Sequence, residues 1–410
     1  MSKKITIITA NYYPEDTAIG FYTTQFSKYL VSKGYTINIV TGFPYYPQWE
    51  IYSDFKDKET YLKDSLDNIT IYRSKQFVPN HPSFLKRIKM IFSFVSGCFK
   101  NIKYIKETNL VIVIVPFTFS IIPAYFLSKK TKSKLWIHIQ DFEFDLAFET
   151  GILSKKNIFT FLFKKSVLKL ESILLNKATI ISSISENMIN QVVRRTKNRP
   201  VYYFPNWISD KQMIVNSFDV HHYFNKNKFS LLYSGNIGDK QNWFLLEQLC
   251  EIIPNNTNIE IIIVGNGGYL NSLKQKLEKY SFVKFKALVP LNELGNLLTS
   301  ADMHFLFQKT DVVDSVMPSK ILGMMASGKP CLITGNKNSE VAKIFRSNNV
   351  GVFSYDPIPE KIYNEILSII KDNNKGIHFG QNAKEFIWKN YSEEEVLCNF
   401  ENKIEEILNE

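Results

Sequence analysis

The chain has 410 residues, 45% of them hydrophobic, enough for two or three domains that each bury a core. A net charge of +11 and a pI of about 9.1 point to an acidic partner such as nucleic acid, anionic lipid or a phosphorylated substrate. The four cysteines, at 98, 250, 331 and 398, are far apart. That spacing argues against a disulfide framework or a thiolate metal site and suits reduced thiols of a cytoplasmic protein.

At the start, Ile5 to Thr9 is too short for an export core and runs into Asn11-Tyr-Tyr-Pro14, so no signal peptide is expected. Residues 4–9 read instead as a first buried parallel strand. A loop through Pro14 and Gly20, a helix over 21–32 ended by Gly34, and a strand over 35–40 complete a βαβ unit. Residues 42–50 form an aromatic, proline-rich loop, and 69–72 form a further strand. Residues 83–106 read as a basic amphipathic helix. Residues 110–127 are nearly apolar enough to span a bilayer, but Pro116 and Pro123 split them into a strand over 110–115 and a buried helix over 118–127. A strand over 134–139, a second basic-apolar helix over 155–170, a strand over 179–182, a helix over 185–195 and a strand over 201–204 close the first half.

Residues 205–228 read as a linker. The second half repeats the alternation, with strands at 229–233, 259–264, 283–285, 303–306 and 331–334. Helices over 242–251, 269–279, 291–299 and 318–326 lie between them. Helices over 358–372 and 379–390 and the segment 392–409 end the chain. Such alternation predicts two Rossmann-like, doubly wound parallel-sheet domains facing across a cleft. The expected boundaries are 1–207, 208–385, and a final segment 386–410.

Ligands of open α/β sheets bind at the carboxyl ends of strands, and several loops there carry suitable chemistry. In Leu232-Tyr-Ser-Gly-Asn-Ile-Gly238, Gly235 and Gly238 let backbone amides approach a ligand, and Lys240 follows just before a helix. Val264-Gly-Asn-Gly-Gly268, with Gly265, is a similar turn. Pro318 and Ser319 read as a helix start whose free N–H groups suit an anion. Lys320 in that first turn opposes the helix dipole, a conflict that a negative partner would relieve. In the first half, Gly20 suits close approach to a phosphate. His138 is followed by Asp141, Glu143 and Asp145 at a strand end, a set able to orient hydroxyls, stabilise positive charge or transfer protons.

Together these pieces resemble the family 4 retaining glycosyltransferases of GT-B fold, in particular their colanic-acid-cluster fucosyltransferase subgroup. The resemblance rests on six segments that run in order along nearly the whole chain. They are Asn11-Tyr-Tyr-Pro-Glu with Gly20, Pro44-Tyr-Tyr-Pro-Gln-Trp49, His138-Ile-Gln-Asp141, Phe204-Pro-Asn-Trp207, Tyr233-Ser-Gly-Asn-Ile-Gly238 with Lys240, and Met317-Pro-Ser-Lys320 with Ala326-Ser-Gly-Lys-Pro330. It implies a nucleotide-sugar donor, GDP- or UDP-linked, held mainly by the second half, an acceptor held by the first, and no metal or other cofactor. Gly20 would then lie beside the diphosphate, His138 near the donor sugar and Lys240 on the phosphates. Tyr45, Tyr46, Trp49 and Glu143 fall on the acceptor side. The last segment, with Trp388 and Tyr391, would cross back onto the first half. Two positions depart from the family pattern. Asn236 stands where an arginine is usual, and Gly323 stands where the second of two glutamates is usual, the first falling near Asp314 or Ser315. Ser319 and Lys320 are expected to strengthen the grip on the phosphates instead.

In this reading Lys240, Lys320 and two helix N-termini stabilise the departing diphosphate, with His138 and Asp141 beside the reacting sugar. The basic-apolar helices at 83–106 and 155–170 suit an anionic leaflet. That fits peripheral attachment to the inner face of the cytoplasmic membrane and a polyprenyl-diphosphate-linked saccharide acceptor. The sugar moved is a hexose, with L-fucose and N-acetyl-fucosamine among the candidates, and the product a bacterial surface polysaccharide such as capsule, O-antigen or exopolysaccharide. Two rival readings are a sugar-nucleotide epimerase of the same architecture and a non-enzymatic nucleic-acid-binding protein. The second requires a basic stripe with stacking aromatics, whereas the lysines here cluster beside apolar runs.

Overall fold

The computed structural model describes residues 3–16, 18–80, 83–144, 158–215, 219–310 and 319–409. Asp145, Asp314, Ser315 and Pro318, singled out above, lie outside them. The chain divides into two units, Met1–Pro205 with Leu397–Glu410, and Asn206–Val396.

The first unit is built on an eight-stranded sheet. Its strands are β1 (Lys4–Ile8), β2 (Thr36–Gly42), β3 (Tyr61–Leu66), β4 (Ile69–Ser74), β5 (Leu110–Val115), β6 (Lys134–Ile139), β7 (Ile180–Ser183) and β8 (Val201–Tyr203). Their order is β3-β4-β2-β1-β5-β6-β7-β8. All neighbours are parallel except β3 and β4, an antiparallel hairpin. The central strands are apolar runs because helices cover both their faces, and every residue of β5 is buried. β3 was not expected. Its residues alternate between exposed and half-buried, so it lacks the apolar run that marks a central strand. The signal for it is its turn, where Asp67 and Asn68 both take positive φ.

Leu110 to Leu127, the most apolar run of the chain, divides as expected between β5 and a helix (Ile121–Thr131) preceded by a 3-10 turn. No helix among the described residues is long and apolar enough to cross a membrane.

The second unit carries a six-stranded, all-parallel sheet of β9 (Phe229–Ser234), β10 (Ile259–Val264), β11 (Val283–Lys286), β12 (Met303–Phe307), β13 (Cys331–Thr334) and β14 (Val352–Ser354). The order is β11-β10-β9-β12-β13-β14. The crossover from β10 and β11 back past β9 to β12 puts the sheet's switch point at the carboxyl ends of β9 and β12, where ligands of such sheets bind. A helix over Glu340–Asn348 and the edge strand β14 were not expected. The helix is capped by Ser339, whose Oγ accepts from the Ala342 amide.

The boundary near the end of the chain falls later than the sequence suggests. The helix Asn373–Tyr391 buries Ala383, Ile387 and Tyr391 in the core of the second unit, and Trp388 packs against the same core. The first unit resumes only at Leu397, within the helix Glu393–Asn409. There Phe400 stacks on Phe204 with ring centroids 3.8 Å apart, and meets Trp136 at 4.3 Å and Phe26 at 4.6 Å. Trp388 and Tyr391 therefore belong to the second unit, and Phe400 is the aromatic residue that joins the last helix to the first.

Candidate active site

In the second unit, three glycines let two loops touch backbone to backbone. A Cβ on Gly265 would lie 2.0 Å from the Gly235 carbonyl oxygen, and one on Gly267 would lie 2.3 Å from that of Ile237. The loops are laced by amides: Gly235 N donates to Val264 O at 2.9 Å, and Ile237 N to Asn266 O at 2.8 Å. Gly235 itself has φ +136°, a conformation few other residues adopt. The strand-end loops expected to cradle a diphosphate thus form one continuous surface.

Lys320 lies on that surface. It is the second residue of the helix Ser319–Ala326, and its stem runs past Gly235, where a Cβ would meet Lys320 Cε at 2.5 Å. The ammonium crosses the Tyr233 ring at 4.7 Å from the centroid. It donates to Tyr233 Oη at 2.5 Å and to the Asn236 carbonyl at 2.9 Å. These acceptors are neutral, and burial lowers the pKa of Lys320 to about 8. The sequence reading anticipated a lysine in conflict with its helix dipole. It did not anticipate Tyr233, whose hydroxyl also donates to Asn236 O at 2.6 Å and whose pKa burial pushes up. Asn236 contributes its carbonyl here, and its side chain is exposed.

Lys240 is placed differently. It is exposed, and its ammonium has no ion pair or hydrogen bond among the described residues. Only its carbonyl is engaged, by the Lys309 amide at 3.2 Å. The helix after it starts at Trp243 and is capped by Asn242, which accepts from the Leu245 amide at 3.2 Å. At Gly323 an added Cβ would lie 3.1 Å from Leu298 Cδ1, so the position faces apolar packing. Ser319 begins its helix as expected.

In the first unit, His138 sits in β6 and is 1% exposed. Both ring nitrogens are engaged: Nδ1 lies 2.9 Å from Ser182 Oγ, and Nε2 lies 2.9 Å from Gln140 Nε2. With the Gln140 amide nitrogen donating, Nε2 accepts and the ring is the neutral Nδ1–H tautomer. Trp136 Nε1 donates to the same Ser182 hydroxyl at 2.7 Å. Burial holds the imidazole pKa down to about 3. His138 is therefore a fixed, neutral, polar group rather than a proton carrier. Asp141 follows, partly exposed, two positions beyond the strand.

Glu143 is consumed locally. Its Oε2 accepts from the Phe117 amide at 2.7 Å and its Oε1 from the Thr118 amide at 2.6 Å. Burial raises its pKa, against the pull of those amides. It holds the turn at Phe117, which has φ +76°. On the expected acceptor side this carboxylate is thus an anchor for backbone.

The aromatic loop is held the same way by a residue that sequence reasoning did not assign. Glu15, 2% exposed, accepts from the amides of both Tyr45 and Tyr46 at 2.7 Å. Burial raises its pKa. Tyr45 is buried, and Trp49 packs 5.8 Å from its ring and 6.5 Å from that of Tyr46. Gln76 accepts from the Phe43 amide at 2.7 Å and donates to its carbonyl at 2.8 Å, and buried Arg73 donates to the Tyr13 carbonyl at 2.6 Å. Gly20, expected before the helix, lies in its first turn, where a Cβ would sit 2.6 Å from the Glu15 carbonyl oxygen. Gly20, Glu15 and the aromatic loop are therefore parts of one packed cluster.

Residues 217–386 match the family model described as Glycosyl transferases group 1. The chain carries a group 1 glycosyl transferase domain. It is 29% identical over 363 residues to WcaI of Escherichia coli (strain K12), a glycosyl transferase assigned to colanic acid biosynthesis, covering 83% of this chain and 85% of WcaI. Among solved structures, a sucrose-phosphate synthase from Thermosynechococcus elongatus superposes with a TM-score of 0.75 at 12% identity, covering 99% of each chain. HepE from Anabaena, in complex with UDP and glucose, gives 0.67 at 13% identity, over 98% of this chain and 100% of HepE. WaaG, a glycosyltransferase involved in lipopolysaccharide biosynthesis, gives 0.64 at 13% identity, over 98% of this chain and 99% of WaaG. The glycosyltransferase is of GT-B fold.

Proposed function

We propose that this glycosyltransferase belongs to family 4 and moves a hexose, with retention and without a metal, from a nucleoside diphosphate sugar to a lipid-linked saccharide. The observation that carries this reading is Lys320 laid across Tyr233 beside the interlocked Gly235 and Gly265 loops. A leaving diphosphate needs positive charge and bared amides at fixed positions. Lys320 supplies the charge, already desolvated and held by neutral acceptors that a phosphate oxygen can outcompete. Lys240, exposed and without an ion pair among the described residues, is available to a second phosphate oxygen. HepE is described in complex with UDP, which supports a nucleotide ligand for this fold. Neutral His138 and Asp141 are assigned to the reacting sugar, where a fixed dipole and a carboxylate favour developing positive charge. The loop of Tyr45, Tyr46 and Trp49 is assigned to the acceptor sugar.

The relation to WcaI favours surface polysaccharide biosynthesis as the setting. Peripheral attachment to the inner face of the cytoplasmic membrane is supported by one helix face. In Phe84–Asn101, Leu85 is 75% and Phe92 56% exposed, beside exposed Lys86 and Lys89. On the opposite side Met90, Phe94 and Cys98 are buried. Such a face buries rings at the acyl boundary while lysines meet anionic headgroups.

A thermal-shift screen of UDP, GDP and their sugar conjugates, followed by transfer assays with a lipid-linked saccharide, tests the proposal. One nucleotide series should stabilise the protein, and its sugar conjugate should be consumed only when acceptor is present. Turnover of donor without acceptor would favour an epimerase.

A further inference from the structure

A cationic cavity lies in the first unit, at the opposite end of the sheet from His138. It has a volume of about 310 Å³ and opens between the end of the helix Ile121–Thr131 and the starts of β6 and β7. Leu135, in its wall, precedes His138 by three positions along β6, roughly 10 Å of strand. Three lysines line it, Lys129, Lys132 and Lys177, with the hydroxyl residues Ser133 and Thr179 and the ring of Tyr125. No carboxylate is among the lining residues.

Two of the lysines share one aromatic ring, with no counter-charge among the described residues. The ammonium groups of Lys129 and Lys177 come from different elements, yet each lies 5.4 Å from the centroid of the same Tyr125 ring. None of the three lysines makes an ion pair among the described residues. Neighbouring Lys130 provides the contrast, since its ammonium donates to the carbonyls of Ile102, Lys103 and Ile105 and so serves the fold. The carbonyl end of the helix would by itself repel an anion. Its last turn is closed by the amides of Lys132 and Ser133, which donate to Lys129 O and Ser128 O. Three full charges then outweigh the remaining half charge. Lys132 is held in the left-handed region, at φ 57°. Thr179 Oγ1 accepts from the Leu135 amide at 3.1 Å, which leaves its O–H to donate. The volume is at the small end for ligand sites, suited to a phosphate or diphosphate group with little attached.

We propose that this cavity is a second anion site, taking a phosphate-bearing ligand between Lys129, Lys132 and Lys177. The same chemistry would recognise a soluble phosphate ester or the phosphate of a lipid headgroup.

Amine-reactive footprinting of the full chain by mass spectrometry tests it. Labelling is measured alone, with sodium pyrophosphate, and with vesicles of phosphatidylglycerol and phosphatidylcholine against vesicles of phosphatidylcholine alone. The Lys320→Met chain is run in parallel, so that the outcome does not depend on the donor site. Occupancy should slow labelling of Lys129 and Lys177 roughly tenfold, the protection that one charge-assisted contact gives, while Lys130 stays unchanged. Protection by pyrophosphate identifies a soluble ligand, and protection by anionic vesicles alone identifies a headgroup. A K129Q/K132Q/K177Q chain with unaltered melting should lose the corresponding binding. Equal labelling of Lys129 and Lys177 under all conditions would overturn the proposal.

Discussion

Replacing Lys320 by Met separates the stability of the second unit from its ligand binding. Burial takes the ammonium from its usual pKa of 10.5 to about 8, a bias of about 3 kcal/mol against the charged form. Hydrogen bonds to Tyr233 Oη and Asn236 O, at 2.5 and 2.9 Å, return part of that cost. The net penalty is then ~1–2 kcal/mol. Methionine has a similar length, and Tyr233 still donates to Asn236 O at 2.6 Å, so the substitution orphans no polar group. Lys320→Met should therefore be more stable than the wild type at pH 7 without nucleotide, by about 1–2 kcal/mol. The sign with pH follows from the lowered pKa. Below about 8 the lysine is charged in both folded and unfolded chains, and the whole cost is present. Between about 8 and 10.5 the unfolded chain holds the extra proton, so wild-type stability rises with pH relative to the variant. Above 10.5 the full bias of about 3 kcal/mol is lifted. Denaturant melts at pH 7 and pH 10, followed by tryptophan fluorescence, read the gap directly. A variant less stable than the wild type at pH 7, or a gap that ignores pH, would refute the reasoning.

Gly265→Ala should destabilise the second unit by about 1–3 kcal/mol and remove nucleotide binding, because its methyl meets the Gly235 carbonyl at 2.0 Å; melts and calorimetry check both. His138, at about 3, should stay neutral across the working range. The pH–rate profile should then show no inflection from it between pH 5 and 8. Stability should fall as pH drops from 6.5 towards 3, where the unfolded imidazole takes a proton the folded one refuses, and a His138→Asn chain should lose that part of the dependence while buried His304, also held down to about 3, keeps its own. Phe400→Ala should cost the first unit about 3–5 kcal/mol and leave the melting of the second unit unchanged in calorimetry, since its rings all lie in the first. Exchanging exposed Leu85 and Phe92 for Asp should abolish co-sedimentation with anionic vesicles, while the melting temperature falls only by what the Phe92–Phe119 ring stack contributes.

What the sequence reveals here depends on how local its cause is. β5 is legible because a strand buried on both faces must be an unbroken apolar run, and Gly235, Gly265 and Gly267 are legible because loops that touch have no room for side chains. β3 is not, since an exposed edge strand needs no apolar run. The roles of Glu15, Gln76 and Arg73 were not legible for another reason. Their partners lie 30, 33 and 60 positions away in the chain, and no spacing rule links them. The same holds for Lys320, whose place at a helix start could be read, but whose bond to Tyr233 spans 87 positions. His138 shows how distant partners narrow a reading that leaves several uses open. A histidine followed by carboxylates invites a proton-transfer role, yet Ser182 and Gln140 fill both its nitrogens and keep it neutral.

The central claim is that the Lys320 and Gly235 surface holds the diphosphate of a sugar donor. Calorimetric titration of UDP and of GDP into the wild type and into Lys320→Met, at pH 7, addresses it most directly. One of the two nucleotides should bind the wild type at a single site in the second unit and bind the variant roughly tenfold to a hundredfold more weakly. Equal affinity for both chains, or no binding of either nucleotide to the wild type, would contradict the account.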